Sequence, residues 1–207
     1  MNARPPRRSP LAMVVLSFVI EAPSHAYRMH ELIKQRGKDS VVNVSQRNSV
    51  YQTIARLVAA GLMRVLATQQ DEGRPERVVY EITARGRKTF YEWLQGMLGE
   101  PRNEFDEFPA ALATIMALSP DVALAALRSR SQTLQLQLTE LVAGTRNLMG
   151  RGLPRVCVLD DEYKQVLFKA EIKWLNGLVA QLESGKLAWS EKALRRLAAQ
   201  FEPPKQG

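Results

Sequence analysis

Amide, hydroxyl and guanidinium side chains recur along one side of residues 46–60. The apolar positions of this segment share one face of a helix, at Val50, Ile54, Leu57 and Val58. The opposite face carries hydrogen-bonding groups, at Asn48, Ser49, Gln52 and Arg56. Because amides pair bidentately with adenine and guanidinium groups with guanine, the chemistry on offer is recognition of base edges in a major groove.

A polar face alone does not indicate DNA binding, because an ordinary amphipathic helix also has a solvated polar face. The charge of this face is what distinguishes the two interpretations. Residues 46–60 contain no Asp or Glu, and an acidic group there would repel a phosphate backbone. Ala55 and Ala59 are small enough to let the helix lie deep in a groove. Tyr51 stands at the edge of the apolar stripe. Its ring could pack inward while its hydroxyl contacts a phosphate, or it could serve packing alone.

A hairpin is predicted directly after this helix. Residues 62–68 and 77–83 are rich in β-branched and apolar side chains, which indicates two strands. Their connection contains glycine and proline, which are typical of a turn. Arg74 and Arg77 flank the proline. A basic hairpin beside an amphipathic helix is expected to contact phosphates or the minor groove.

The opening apolar segment permits two interpretations. Residues 11–20 follow three arginines and precede a Ser-His-Ala step, which is roughly the pattern of a secretory signal peptide. Ser9 as N-cap, followed by proline, instead predicts a helix over residues 10–21. We favour the helix, because cleavage would remove the first element of the pattern around it.

Two further helices complete this half of the chain. Residues 26–36 form one that ends at a glycine. Its inward-facing candidates are Tyr27, Leu32 and Ile33. Residues 41–44 could then form a short strand or an extended link. Residues 84–98 form the other helix, whose opening residues Arg85, Arg87 and Lys88 could contact phosphates or remain free in solvent.

The distribution of charge favours a polyanionic partner for the first half. The 207 residues have a formal net charge of +8. Residues 1–100 hold 15 Lys and Arg against 9 Asp and Glu, whereas residues 101–207 hold 14 against 12. Neutralising phosphates releases counterions, so a basic surface gains affinity for nucleic acid. Scattered charge on a soluble basic protein is the alternative.

Other features of the sequence exclude several classes of protein. Cys157 is the one cysteine, so no internal disulfide can form and a reducing cytoplasm is expected. Together with His25 and His30 it does not supply the ligand spacing of a zinc site. The sequence shows no Ser/His/Asp set, no Gly-rich phosphate loop and no apolar run of about 18 residues. We therefore expect no enzyme, no cofactor or metal, and no membrane span.

The combined pattern resembles the PadR family of bacterial transcriptional regulators. The resemblance covers residues 10–98 and rests on LAMVVLSFVIEAPSHAYRMHELI, SVYQTIARLVAAGLM and EGRPERVVYEITARGRKTF. Ala26 stands where the family usually has Gly, and Gln52 stands where it usually has Pro. The second change can alter how the helix meets its site, so base contacts are not transferable from relatives.

The resemblance implies a winged-helix dimer that usually represses transcription. Tyr51 matches the tyrosine of the family's recognition helix, and Arg74 matches the arginine of its wing. Some relatives respond to phenolic or hydrophobic compounds, so a small-molecule effector is also implied. Trp93, Trp174 and Trp189 could line a pocket for it, although core packing is the more common use of tryptophan.

The second half of the chain has a different, helical pattern. Residues 103–118 predict one helix, and Ser119 followed by Pro120 marks the start of a longer one. Along the longer helix, seam positions recur at the alternating spacing of three and four that is typical of a coiled coil. They are Leu124, Leu127, Ser131, Leu134, Leu138, Leu141, Thr145 and Leu148.

Another long helix, residues 161–184, has apolar residues on two sides. One stripe is Tyr163, Leu167, Ala170, Trp174 and Leu178. The other is Phe168, Ile172, Leu175, Val179 and Leu182. Two stripes predict contacts on two sides, one within the subunit and one with a second subunit. An ordinary intrachain hairpin is the alternative, and a last helix is predicted over residues 190–200.

These patterns predict a mainly α protein with a small β-hairpin. Residues 1–9 form a basic flexible arm, residues 10–98 a winged helix-turn-helix DNA-binding domain, and residues 101–202 an antiparallel helical dimerisation domain. The predicted function is a cytoplasmic, homodimeric repressor that binds a near-palindromic operator in double-stranded DNA. Its two recognition helices would lie about 34–36 Å apart, one turn of B-DNA.

The candidate residues follow from these faces. DNA contacts are predicted at Tyr27, Arg47, Asn48, Ser49, Tyr51, Gln52, Arg56, Arg74, Arg77 and Lys88. Dimer contacts are predicted at Leu124, Leu127, Leu134, Leu138, Leu141, Phe168, Ile172, Leu175, Val179 and Leu182. Two alternatives remain, namely a winged-helix module that binds other proteins and a helical carrier of apolar ligands without specific DNA binding.

Overall fold

Helices dominate both halves of the chain, and one small antiparallel sheet accompanies them, as the sequence predicts. The structure is a computed structural model that falls into two units, residues 1–103 and 104–207. It describes residues 8–44, 47–69, 77–102 and 105–190, together with residues 193, 196 and 200. No helix among these residues is long and apolar enough to cross a membrane.

The described part of the amino-terminal unit contains four helices and three strands. In chain order they are α1 (Pro10–Glu21), β1 (Ser24–His25), α2 (Ala26–Gln35), α3 (Arg47–Ala59), β2 (Met63–Gln69), β3 (Arg77–Ile82) and α4 (Ala84–Gly99). A 3-10 turn, Lys38–Ser40, follows α2. The predicted bounds of α1 are confirmed, and those of the other elements differ by no more than one or two residues.

The core of this unit is built around α1. Ser9 caps the helix, with its Oγ accepting a hydrogen bond from the backbone N–H of Ala12 at 3.2 Å. Val15 and Leu16 are fully buried, as the nearly uniform apolar sequence of the helix requires. Trp93 of α4 is half-buried against the same core and so serves packing here.

The sheet has the strand order β1-β3-β2, with both pairs antiparallel. A strand at residues 41–44 was one of two expectations, and it is wrong, because Val42 and Val44 are buried in the core without pairing in the sheet. The third strand is instead β1, where Ser24 and His25 pair with Tyr80 and Val79. Strand β2 is an edge strand with a bulge between Val65 and Ala67.

The carboxy-terminal unit is a helical hairpin with a short helix beside it. Its described helices are α5 (Glu107–Ala113), α6 (Pro120–Gly150) and α7 (Leu159–Glu183), with 3-10 turns at Ile115–Ala117 and Arg155–Val158. The prediction of one helix over residues 103–118 is wrong. Proline lacks an N–H and clashes with the carbonyl four residues earlier, so Pro109 prevents α5 from starting at residue 103. Phe105 is correspondingly exposed.

The seam between α6 and α7 combines apolar and polar layers. Leu127, Leu134 and Leu175 are buried at its centre. The hydroxyl of Ser131 donates to Oδ1 of Asn176 at 2.8 Å. In a second polar layer, Nε2 of Gln165 donates to Oγ1 of Thr145 at 3.1 Å.

Parts of two predicted segments fall outside the described residues. Residues 1–7 of the predicted arm are among them, whereas the guanidinium of Arg8 lies beside Gly96 of α4. Most of the predicted last helix, residues 190–200, also lies outside the described part of the chain.

Candidate nucleic-acid interface

Helix α3 is held against the core by one apolar stripe. Val50, Ile54 and Leu57 are buried, and they pack with residues of α1 and α2. Val58 is half-buried against the same cluster. The apolar side of the helix is therefore the one that the sequence predicts, and the opposite side faces away from the core.

A glycine ends α3 and directs the chain into the hairpin. Gly61 has a φ of +69°, a left-handed conformation that glycine adopts without steric cost. The N–H of Gly61 donates to the carbonyl of Val58, and the N–H of Leu62 donates to that of Leu57, both at 2.9 Å. This pair of bonds is a Schellman motif, which fixes the angle between α3 and β2.

The outward face of α3 carries the predicted base-reading groups. Asn48, Gln52 and Arg56 are exposed, and Ser49 is half-buried. Nη2 of Arg56 donates to Oγ1 of the buried Thr53 at 3.1 Å, which limits the rotamers open to the guanidinium. The face can thus present amide and guanidinium donors to base edges without an opposing carboxylate.

Two of the predicted DNA contacts are exposed tyrosines, one on α3 and one on α2. Tyr51 is 48% exposed, so its side chain is only partly used in packing. Tyr27 was predicted both as an inward residue of α2 and as a DNA contact. The inward prediction is wrong, since Tyr27 is 55% exposed, and the inward positions of α2 are Ala26, Met29, His30 and Ile33.

The wing, defined here as the β2–β3 hairpin, adds basic groups. Arg77 is half-buried at the start of β3, opposite Gln69. Nε of Arg64 on β2 donates to Oε1 of Glu81 on β3 at 2.6 Å. Arg74 lies outside the described residues, as does the side chain of Arg47.

Helix α4 begins at the foot of the wing. Oγ1 of Thr83 accepts a hydrogen bond from the N–H of Gly86 at 2.9 Å and so caps the helix. Lys88 is exposed, with its Nζ 3.9 Å from Oε1 of Glu92. A surface ion pair of this length contributes little, so a phosphate can compete for the lysine.

His25, at the start of α2, lies within the electrostatic influence of Arg28 and Arg77, which the sequence pattern did not indicate. Nδ1 of His25 accepts a hydrogen bond from the N–H of Arg28 at 3.0 Å and caps α2. Burial lowers the pKa of His25 below its usual value, and the positive charges of Arg77 and Arg28 lower it further. A hydrogen-bond acceptor directly before an amphipathic segment was the available signal.

The predicted dimer residues are used mainly within the subunit. Leu127, Leu134 and Leu175 are buried in the hairpin core, and the other positions on α7 pack partly against that core. Those other positions are Phe168, Ile172, Val179 and Leu182. On α6, Leu124, Leu138 and Leu141 are half-buried.

Of the two stripes of α7, the one that begins at Tyr163 is the less covered, although its Leu178 packs against the hairpin core. Tyr163 is 66% exposed, and Leu167 and Trp174 are each about half exposed.

Among the described residues no group of three or more His, Cys, Asp or Glu side chains could hold a metal ion.

The amino-terminal half of the chain is similar to one known protein family. Residues 15–92 match the model of the transcriptional regulator PadR-like family. A comparison with curated protein sequences gives no match. The matched family consists of transcriptional regulators, not enzymes.

Solved structures share the fold over most of the chain. PadR of Bacillus subtilis in complex with operator DNA has a TM-score of 0.69 at 17% identity, covering 84% of this chain and 99% of that one. The same protein in complex with p-coumaric acid has a TM-score of 0.66 at 16% identity, with the same coverage. The virulence activator AphA of Vibrio cholerae has a TM-score of 0.64 at 18% identity, covering 84% of this chain and 98% of that one.

These similarities agree with the exposed face of α3 and the wing beside it. Residues 15–92 thus match the transcriptional regulator PadR-like family, and the chain shares the winged-helix fold of the solved PadR structures.

Proposed function

We propose that the protein is a cytoplasmic repressor that binds a near-palindromic operator as a homodimer and is released by a small-molecule effector. The observation that carries the proposal is the outward face of α3. That face is exposed, free of acidic residues over its described length, and held in place by three buried aliphatic side chains. PadR of Bacillus subtilis, whose fold is similar, has been solved both with operator DNA and with p-coumaric acid, which supports both kinds of partner.

In this proposal, α3 enters the major groove. Base edges are contacted by Asn48, Ser49, Gln52 and Arg56. Phosphates are contacted from α3, the wing, α2 and α4 by Arg47, Tyr51, Arg74, Arg77, Tyr27 and Lys88. Phosphate contacts set position and salt dependence, whereas base contacts set sequence preference.

We assign the dimer contact to the less covered stripe of α7 instead of the α6 seam. Tyr163, Val166 and Leu167 are each about half exposed or more, and they lie within two turns of one another. Soluble monomers rarely leave a large contiguous apolar surface open, so this stripe fits a second copy of the same helix. The seam residues stabilise each subunit internally.

The test is binding of the full-length protein to DNA from upstream of its own and neighbouring genes, at two salt concentrations. We expect a footprinted site whose binding weakens with salt. Gln52→Ala combined with Arg56→Ala should cost about 1–3 kcal/mol for each lost base contact and abolish the footprint. Lys88→Ala should instead weaken binding to all sequences and reduce the salt slope by about 1.

Lys186→Ala is the matched control for charge, since it removes the same charge from an exposed position in the carboxy-terminal unit. Binding that is insensitive to salt and unchanged in the double variant would contradict the proposal and favour a protein-interaction module. Tight binding of an apolar ligand without any DNA binding would favour the carrier alternative. A promoter reporter then distinguishes repression from activation.

A further inference from the structure

A pocket of about 360 Å³ lies within the carboxy-terminal unit. Its floor is formed by α7, with Trp174, Leu178 and Leu182. Met116 lines one side, and Trp189, beyond the end of α7, lines the other. A volume of this size is at the lower end of the range for small-molecule sites.

The wall formed by the segment after α7 is held by hydrogen bonds. Nε1 of Trp189 donates to the carbonyl of Leu118 at 2.8 Å, which connects this segment to the end of the 3-10 turn after α5. The N–H of Leu187 donates to the carbonyl of Gln181 at 3.1 Å. The indole is therefore fixed before any ligand arrives.

Aromatic contacts fix the other indole. The rings of Trp174 and Phe108 meet edge to face, with centroids 6.3 Å apart. The guanidinium carbon of Arg130 lies 3.7 Å from the centroid of the same phenylalanine ring, and its Nε donates to Oε1 of Glu171 at 2.6 Å. This chain of contacts orients Trp174. Because the side chain is already ordered, the entropic cost of binding a molecule in the pocket is lower.

The lining decides which chemistry the pocket accepts. Every lining side chain is apolar, and the indole N–H of Trp189 is already bonded to the carbonyl of Leu118. A carboxylate placed here would lose its hydration without gaining a cation, and the indole N–H of Trp174 is the one lining donor that could replace its lost hydrogen bonds. Two indole rings in the lining favour contact with a flat ring.

We propose that this pocket binds a flat, uncharged, apolar molecule of small size. Such a ligand differs in charge from the p-coumaric acid bound by the structural neighbour. Binding itself does not require that the protein bind DNA. Only the further step, in which the ligand acts as the effector, rests on the proposed function.

The test uses the full-length protein with methyl cinnamate and cinnamate at pH 7.5. These two probes share a flat ring and differ in charge. Calorimetric titration should give a dissociation constant for the ester that is at least about tenfold smaller than that for the carboxylate. Tryptophan fluorescence should change on titration with the ester.

Met116→Lys tests the location. Met116 is 55% exposed, so the variant is expected to fold, and it places a cation at the edge of the pocket. This variant should reverse the preference in favour of cinnamate, while Met116→Leu should bind as the native protein does. Equal binding of the two probes, or a preference that Met116→Lys leaves unchanged, would overturn the proposal.

Absence of ester binding would also overturn it. If Met116→Lys then changed the oligomeric state, the pocket would be occupied by a second copy of the chain. If it changed the protease sensitivity of residues 191–207 instead, the pocket would be occupied by that part of the chain.

Titrating the ester into a protein–operator complex separates the two proposals. Ester binding without release of DNA leaves the ligand site standing and removes its role as effector.

Discussion

Gly86 lies where α4 passes directly beside the end of α3. A Cβ at this position would overlap the backbone carbonyl of Leu62 and the side chain of Ile82. The same carbonyl accepts the N–H of Thr83 at 3.0 Å, so it cannot move away freely. The close approach explains why the winged-helix unit requires glycine here although the residue lies inside a helix.

Gly86→Ala should destabilise the unit by about 1–3 kcal/mol or more, because the added methyl group meets backbone. Urea unfolding should show a lower midpoint with an unchanged slope. Gly99→Ala is the matched control in α4, since nothing lies within 4 Å of a Cβ there. Equal midpoints for the two variants would contradict the packing described.

His25 links stability to pH through its role as the cap of α2. Its folded-state pKa is lowered, first by burial and then by Arg77 and Arg28. Folding therefore favours the neutral imidazole. The stability that His25 contributes to the folded state is fully present above the unfolded-state pKa of about 6.5. As pH falls below that value and through the folded-state pKa, this contribution is lost.

We expect the urea midpoint to fall between pH 7.5 and 5.5. His25→Asn should remove most of that change, because asparagine supplies a capping oxygen but does not titrate. Both proteins are measured in the same buffers at constant ionic strength. A pH dependence that is identical in the variant would show that another group is responsible.

Among the elements, those with a long periodic signal were predictable from sequence. Helix α3 has four apolar positions on one face, and the wing has two strands separated by turn residues, so both follow from the printed residues. Strand β1 has two residues, which is too few to show alternation. It forms only because β3 offers a free edge beside it.

The errors at the element scale have local and tertiary causes. Pro109 shortens α5, and a proline at this position is a local signal that the sequence itself contains. The exposure of Tyr27 depends on which face α2 turns toward the core. The sequence of a short helix with few apolar residues does not define that face. The two stripes of α7 were visible in the sequence, but which of them faces α6 is a tertiary fact.

At the scale of the whole molecule, DNA affinity should depend on the apolar stripe of α7. Tyr163→Asp places a charge in the proposed dimer contact, whereas Tyr163→Phe keeps the surface apolar. Sedimentation should show a monomer for the first variant and a dimer for the second. Affinity for a two-half-site operator should fall by about 10²-fold or more in the monomer, because a second linked contact adds avidity.

Binding to a single half-site separates assembly from DNA recognition. It should be similar in both Tyr163 variants, because α3 and the wing lie in the other unit. If Tyr163→Asp remains dimeric, the stripe is not the contact. If it is monomeric but binds the full operator as tightly as the native protein, the proposal that two subunits act together on one site fails.

The two polar layers between α6 and α7 have a mechanical consequence. A helix pair with a purely apolar seam can slide by one heptad at small cost, but here Ser131 and Thr145 are joined to Asn176 and Gln165. A slip would break both interhelical hydrogen bonds, each of which contributes about 0.5–1.5 kcal/mol. The two polar layers therefore favour a single register of the hairpin. In the proposed regulator, a signal that crosses the hairpin would therefore have to rotate or bend the two helices as one piece.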